Sequence, residues 1–279
     1  MTTFPKVRKV IRMNTPSLTS QVVALTRAGL ERPHSSEGDP GAQVSLCEGM
    51  QFTPPAWLRP SIEARTRFVD GQVAAALAAG IGQVVICGAG YDDRALRFRT
   101  AGVRFFELDH PATQQDKAER LRILGATEPG VTLAAVDFGA DDVAVVLERA
   151  GHEAGRPTLF VCEGLLVYLD AGTCDRLLSA LAARAAAGSV LAVSLSTYPD
   201  GYDAAEVIAA ANARRRTSAA EPWRTILTAG EHLAMLERAG WSVTACQRAP
   251  AASADVGHGR RSLLVTAVPV VAQALGSVG

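Results

Sequence analysis

The sequence has no excess of charge of either sign and few aromatic residues. Its 279 residues include 28 Lys and Arg against 28 Asp and Glu, and aromatic residues make up 5% of the chain. A neutral chain lacks the positive field that attracts nucleic acids or an acidic membrane surface, so we expect neither as a partner. Apolar residues make up 48% of the chain. That content argues against general disorder and suffices for a core without metal or disulfide support.

The five cysteines are odd in number, lie far apart and form no C-x-x-C pair. This pattern argues against a disulfide framework and against a zinc site, and we expect no metal. Cys87 and Cys162 fall inside apolar runs, where a free thiol behaves as a small buried hydrophobe. Free thiols are typical of a reducing compartment. With no apolar run after the basic first residues and none of about 20 residues elsewhere, we predict a cytoplasmic protein without a signal or membrane span.

From about residue 80, apolar β-branched runs alternate with helical stretches that are rich in Ala and Leu. Apolar strands separated by helices are typical of a parallel sheet that is covered on both faces. We therefore predict a doubly wound α/β fold. The predicted strands are residues 83–87, 103–108, 131–136, 158–162, 189–195, 241–247 and 261–268. The predicted helices between them are 93–99, 111–124, 141–150 and 171–187, the last capped by Asp170 and ended by Gly188.

Glycine or carboxylate residues follow each of the first four predicted strands. Gly88-Ala89-Gly90 follows the first, Glu107 and Asp109 end the second, Asp137 follows the third and Glu163 follows the fourth. Ligands of open α/β sheets bind at the carboxyl ends of the strands, so this set predicts a nucleoside-type cofactor site. Taken singly, each residue has a plainer interpretation as a tight turn or a helix cap. Glu163 is the exception, because an unpaired buried carboxylate is costly.

Asp92 and Asp93 help to choose the cofactor. A dinucleotide would place its pyrophosphate at the helix start after the glycine turn, where these two carboxylates would repel it. Asp93 also stands where G-x-G-x-x-G has its third glycine. S-adenosylmethionine has no phosphate, and its sulfonium and ammonium groups suit an acidic rim. The charges favour S-adenosylmethionine, and an NAD(P)-dependent oxidoreductase is the alternative from another class.

Several ordered blocks resemble the leucine carboxyl methyltransferase family. This family includes protein-phosphatase carboxyl methyltransferases and bacterial polyketide O-methyltransferases of the tetracenomycin type, which act in secondary metabolism. The resemblance covers roughly residues 15–268 in matching order. The blocks are ARTRF at 64–68, VVICGAGYDDRA at 84–95, FELDHP at 106–111 and EGLLVYL at 163–169, with a further likeness at 221–243.

The resemblance implies a seven-strand, Rossmann-like class I methyltransferase sheet whose last strand is antiparallel, with S-adenosylmethionine as cofactor. It implies that Arg65 reaches the methionyl carboxylate of the methyl donor through a charge-assisted contact. A solvated Arg65, or Arg67 in its place, is the alternative. Where the family usually has Thr and an aliphatic residue, this chain has Asp93 and Tyr91, which implies different packing around the methyl donor.

Other site residues follow from the same resemblance. Gly88, Ala89 and Gly90 would line the methionyl portion, with Asp92 on the acidic rim beside them. Asp109 would hold the ribose hydroxyls, while Asp137 and Phe138 would frame the adenine. Glu163 and Tyr168 would lie near the ammonium group or the methyl-transfer zone. Catalysis would rest mainly on positioning, and we assign no catalytic acid or base.

The resemblance places the variable acceptor-binding segments near the N-terminus and in an insertion. We predict a helical lid at 1–70, a methyltransferase domain at 71–270 with a lid insertion at 198–230, and a tail at 271–279. The expected reaction is O-methylation of a free carboxylate on a small natural product or a peptide C-terminus, and the oligomeric state stays open. The arginines at 214–216 would either attract that carboxylate or form a solvated helix face.

A phenol or alcohol is the alternative acceptor. It would need a general base, for which His258, His232 and Tyr198 are candidates. A non-catalytic module that keeps the pocket for the methyl donor is a third interpretation.

Overall fold

Seven strands form one sheet, as the alternation of apolar runs predicts. The computed structural model describes residues 16–126, 130–214, 221–249 and 261–270. The strands are β1 (Gln83–Cys87), β2 (Arg104–Asp109), β3 (Val131–Ala135), β4 (Thr158–Cys162), β5 (Val190–Thr197), β6 (Trp241–Arg248) and β7 (Arg261–Pro269). Their order across the sheet is β3-β2-β1-β4-β5-β7-β6. β1 to β5 pair in parallel, and β7 runs antiparallel to both β5 and β6. The predicted doubly wound fold with an antiparallel last strand is confirmed.

The four helices predicted between the strands lie close to their predicted positions, at 94–97, 111–123, 143–149 and 171–183, and further helices are present. The helices are α1 (Leu18–Ala28), α2 (Ala42–Leu46), α3 (Arg59–Ala78), α4 (Arg94–Arg97), α5 (Pro111–Ile123), α6 (Val143–Arg149), α7 (Ala171–Ala183), α8 (Ala204–Arg214) and α9 (Ala229–Arg238). Single turns of 3-10 helix lie at Ala56–Leu58 and Leu166–Tyr168. Among the described helices, none combines the length and the apolar character needed to cross a membrane.

Side-chain caps start several of these helices, because the first N–H groups of a helix have no partner within it. Ser17, Asp142 and Asp170 accept backbone N–H groups at the starts of α1, α6 and α7. The cap predicted for Asp170 is confirmed. The predicted end at Gly188 is wrong: α7 stops at Ala183 because the next residues form tighter i to i+3 turns, and Gly188 lies in the turn before β5.

The core fills both faces of the sheet. β1 and β4, at its centre, are buried along their whole length, including Cys87 and Cys162. On one face, Val69 and Val73 of α3 pack against β1 and β4. On the other face, α6, α7 and α9 pack around Trp241 and the rest of the largest apolar cluster. Because α3 is continuous across residue 70, it joins the N-terminal segment to the sheet, and the proposed domain boundary there stays a prediction.

The glycine turn after β1 makes room for other parts of the protein. Gly88 and Gly90 have φ of +67° and +52°, in the left-handed region that favours glycine. A Cβ on Gly90 would lie 2.6 Å from the Cβ of Ser20 in α1, and one on Gly88 would lie 2.9 Å from the Cδ1 of Leu165. From the sequence, these glycines are predicted to line the methionyl portion of the methyl donor. The structure shows that they also let α1 and the segment after β4 pack closely against the turn.

Replacing Gly90 with alanine tests this close packing. We expect Gly90→Ala to lower the free energy of unfolding by about 2–5 kcal/mol, because left-handed strain costs about 1–2 kcal/mol and overpacking adds about 1–3 kcal/mol. Gly80→Ala is the matched control, since Gly80 has φ +79° and nothing lies within 4 Å of the added Cβ. Urea unfolding of both variants measures the difference. Equal losses would show that α1 does not press on the turn.

Candidate functional site

A cavity of about 350 Å³ opens at the carboxyl ends of the first four strands. The glycine turn, the end of β2 and the segments after β3 and β4 form one side. Helix α1, with its cap residue Ser17, and residues 221–224, inside the predicted lid insertion, complete it. The lining residues from these last two segments are Ser17, Thr19, Ser20, Val23, Arg27, Glu221, Pro222 and Arg224.

Most of the predicted site residues line this cavity. They are Arg65, Gly88, Ala89, Asp109, Asp137, Phe138, Glu163 and Tyr168. Gly90 lies just behind the lining, where its N–H donates to Asp109 at 2.6 Å. Asp92 is absent from the lining and belongs to a buried cluster described below.

Asp109 is held so that both of its oxygens keep accepting capacity. Oδ2 accepts the Gly90 N–H at 2.6 Å, and Oδ1 accepts the His110 N–H at 2.7 Å. A carboxylate oxygen can accept more than one hydrogen bond, so each oxygen keeps a free lone pair. Burial raises the pKa of Asp109, against the opposing effect of the two N–H groups. The carboxylate is therefore fixed in orientation and suited to a pair of neighbouring hydroxyl groups.

Asp137 and Phe138 place an acceptor beside an apolar ring. Asp137 Oδ1 accepts the Gly139 N–H at 2.9 Å, which fixes the carboxylate in a turn and leaves Oδ2 for another partner. Phe138 is half-buried and packs against the main core. An amino-bearing aromatic ring could lie against Phe138 and donate to Asp137.

Glu163 holds three arginines at the floor of the cavity. Its Oε1 accepts from Arg65 Nε at 3.0 Å, and its Oε2 lies 2.7 Å from Arg27 Nη2 and 3.0 Å from Arg94 Nη1. Burial would raise the pKa of this carboxyl group, but the three guanidinium groups outweigh it and lower the pKa to about 2. Arg65 keeps a partly exposed side chain on the cavity. Arg67 instead pairs with Glu63 on the outer surface.

Glu163 belongs to a buried ion cluster beneath the cavity, which we define as five arginines and four carboxylates. Its members are Arg27, Arg32, Arg65, Arg94, Arg97, Asp70, Asp92, Asp93 and Glu163. The expected acidic rim at Asp92 and Asp93 is therefore wrong. Both carboxylates are buried and paired with arginines, and neither faces the cavity.

The ion cluster joins distant parts of the chain. Arg32, in the linker after α1, makes a bidentate contact with Asp70 of α3 at 2.8 and 3.0 Å and reaches Asp93 at 2.6 Å. Burial raises the pKa of Asp92, but Arg94, Arg27 and Lys117 more than offset it and hold that pKa well below its usual range. Apart from the short-range pairs Arg94–Asp92 and Arg97–Asp93, the paired residues of the cluster are at least 24 residues apart, so no local sequence pattern signals them.

A family model and several relatives match the chain. The model for leucine carboxyl methyltransferase matches residues 34–182. The chain belongs to the leucine carboxyl methyltransferase family. A relative from Mycolicibacterium paratuberculosis is 38% identical over 214 residues, which cover 73% of this chain and 67% of the relative. One from Mycobacterium avium is 42% identical over 132 residues, or 47% of this chain and 42% of the relative.

Both relatives carry the provisional name of S-adenosyl-L-methionine-dependent methyltransferase. The match spans less than half the length of the Mycobacterium avium relative. A solved structure from Thermobifida fusca, provisionally named a methyltransferase, superposes with a TM-score of 0.61 at 16% identity, covering 93% of this chain and 97% of that one. This likeness shows the class I methyltransferase fold. The narrower placement among polyketide O-methyltransferases stays a prediction.

Not every residue proposed as a general base or as an acceptor-binding arginine lines the cavity. His232 is buried and contacts the Ser196 carbonyl at 2.9 Å, and Tyr198 packs against Val167. His258 and the arginines at 215 and 216 lie outside the described residues, as does the side chain of Arg214. His110, which was not proposed as a base, lines the cavity, and its Nδ1 accepts the Ala112 N–H at 3.3 Å.

The ion cluster predicts a loss of stability in acid. The folded-state pKa of Glu163 lies near 2 against about 4.5 for a free glutamate, and that of Asp70 is also lowered by its arginines despite burial. The folded state therefore binds fewer protons than the unfolded chain. The stabilisation that these paired carboxylates give is complete above about pH 5 and is lost as the pH falls toward 2.

Asp70→Asn tests this dependence. We expect it to lower the free energy of unfolding at pH 7 by about 3–5 kcal/mol, because it leaves buried arginines uncompensated. We also expect a shallower decrease of that free energy between pH 5 and pH 3. Glu63→Gln, which changes a half-buried residue outside the ion cluster, should cost less than about 1 kcal/mol and keep the wild-type slope. Denaturant unfolding at several pH values measures both, and identical slopes in all three proteins would contradict the assignment.

Proposed function

We propose that the protein is an S-adenosylmethionine-dependent O-methyltransferase that methylates a free carboxylate on a small molecule or a peptide C-terminus. One observation carries the proposal. Four consecutive strands each deliver a lining residue to a single cavity: Gly88 after β1, Asp109 from β2, Asp137 after β3 and Glu163 after β4. This is the edge of an α/β sheet where nucleoside cofactors bind.

The lining fits the parts of S-adenosylmethionine. The two lone pairs of Asp109 suit the ribose hydroxyls, and Asp137 with Phe138 suits the adenine. Arg65 is partly exposed on the cavity and suits the methionyl carboxylate, with the backbone of Gly88 and Ala89 beside it. When bound, S-adenosylmethionine supplies a methyl group on a sulfonium centre. The relatives that carry the name of S-adenosylmethionine-dependent methyltransferases support the same assignment.

The start of α4 does not suit a pyrophosphate. The helix has only four residues, and the N–H of Arg94 at its start already donates to Asp92 Oδ1 at 2.8 Å. A dinucleotide would need such N–H groups to be free at this point. The ion cluster that occupies this turn therefore supports S-adenosylmethionine over NAD(P).

The protein's role in the reaction would be to position the acceptor and to exclude water. A carboxylate is already anionic and needs no base. In keeping with this, His110 is the one histidine among the described lining residues, and its Nδ1 already accepts a backbone N–H. Glu163 holds Arg65 and Arg27 in place, and Tyr168 lies on the wall beside them. Good alignment can contribute about 7 kcal/mol or more to the rate.

Titration calorimetry with S-adenosylhomocysteine, NAD and NADP tests the cofactor. We expect saturable binding of S-adenosylhomocysteine alone. Saturable binding of a dinucleotide would overturn the proposal. Products of turnover then test the acceptor class: a methyl ester releases methanol in mild alkali, whereas the methyl ether of a phenol does not. Stable methylated product would favour the hydroxyl acceptor.

Asp109→Ala tests the ribose assignment. We expect the affinity for S-adenosylhomocysteine to fall by about 10- to 100-fold, because hydrogen bonds to a charged acceptor are worth about 1.5–3 kcal/mol. Asp142→Ala removes an aspartate that caps α6 away from the cavity and should leave the affinity unchanged. Calorimetry gives both affinities, and urea unfolding verifies that each variant is folded. Unchanged binding by Asp109→Ala would show that Asp109 does not hold the ribose.

A further inference from the structure

Arg224 lines the cavity, and its charge has no partner among the residues that the structure describes. Its side chain is exposed, and within the described residues its guanidinium group forms no hydrogen bond or ion pair. The other arginines on the lining, Arg27 and Arg65, both pair with Glu163. Arg224 is therefore the uncommitted cation of the described lining.

The backbone around Arg224 is firmly anchored. The Arg224 N–H donates to the Val167 carbonyl at 2.7 Å, and Thr225 Oγ1 donates to the Leu169 carbonyl at 2.6 Å. On the other side, Asn212 of α8 exchanges two hydrogen bonds with the backbone of Trp223, at 2.8 and 2.9 Å. These bonds fix Arg224 beside the 3-10 turn that carries Tyr168, a few residues after Glu163.

Glu221 is the carboxylate nearest to Arg224 in sequence, and Asp170 is another carboxylate on the cavity lining. Both accept hydrogen bonds from other groups. Asp170 caps α7 by accepting the Thr173 N–H at 2.8 Å and the Thr173 hydroxyl at 3.0 Å. Glu221 accepts the N–H of Thr19 at 3.2 Å and also its hydroxyl. Neither forms an ion pair with Arg224. The Arg224 guanidinium group is thus held at the cavity, whereas the two carboxylates accept hydrogen bonds at the starts of α7 and α1.

We propose that Arg224 binds the carboxylate of the methyl acceptor and selects carboxylates over neutral groups. The inference rests on the proposed function and names the residue that sets the acceptor class. A guanidinium group presents several N–H donors in one plane, which match a carboxylate better than an amide or hydroxyl group does. A contact to one carboxylate oxygen leaves the other oxygen available for methylation.

Benzoate and benzamide serve as probes, since they share a ring and differ in charge. Each is titrated by calorimetry into the protein saturated with S-adenosylhomocysteine. We expect the wild type to bind benzoate about tenfold more tightly than benzamide, as for a charge-assisted hydrogen bond. Arg224→Gln should abolish this preference, and Arg224→Lys should keep part of it. Arg67→Gln, which changes an arginine outside the cavity, should behave as the wild type.

The affinity for S-adenosylhomocysteine separates the two proposals. If S-adenosylhomocysteine binds all variants equally but the wild type does not prefer benzoate, the inference about Arg224 fails and the proposed cofactor stands. A preference that persists in Arg224→Gln also overturns the inference. If S-adenosylhomocysteine does not bind the wild type, the proposed function fails, and this inference fails with it.

Discussion

The guanidinium group of Arg94 contacts carboxylates from three parts of the chain: Asp70 of α3 at 2.7 Å, Asp92 of the glycine turn, and Glu163 after β4 at 3.0 Å. Glu163 in turn holds Arg27 of α1 and Arg65 of α3. Buried charges cost several kcal/mol each unless they are paired, so removal of one member leaves its partners uncompensated. The positions of α1, α3 and the cavity floor therefore depend on one another. The cavity is formed by separate segments, and it keeps its shape because the buried charges that join these segments are paired.

The fold could be predicted largely from the sequence because its signals are local. β1 and β4 are buried on both faces, so they appear as unbroken apolar runs, and their predicted bounds match the structure. The edge where the lining residues lie follows from the parallel arrangement, since the carboxyl ends of parallel strands meet there. For that reason Asp109, Asp137 and Glu163 could be selected without knowledge of their contacts. The end of α7 was missed because a run of alanines up to Gly188 does not mark where the helix tightens.

Most of the charge pairing could not be predicted, because most partners are far apart in sequence, although Arg94–Asp92 and Arg97–Asp93 are close pairs. Asp92 and Asp93 appeared to be a solvent-facing acidic pair, whereas arginines from α1 and the following linker neutralise them. The argument from their charge favoured S-adenosylmethionine for a reason the structure does not support. The structural reason is that Asp92 accepts a hydrogen bond from the Arg94 N–H, a group that a pyrophosphate would need. Arg224 was also missed, because its sequence position does not show that it lines the cavity or that it lacks a partner among the described residues.

The cavity draws its wall from two sources that differ in how freely they can change. The residues proposed for S-adenosylmethionine lie mainly between Gly88 and Glu163, at the carboxyl ends of the first four strands. Much of the remaining wall comes from α1 and from residues 221–224, which meet where Glu221 accepts from Thr19. α1 also supplies Arg27 to the ion cluster, whereas residues 221–224 supply nothing to it. During evolution, the segment near Arg224 can thus diverge to suit new acceptors at little cost to folding, while α1 stays constrained by its buried charge.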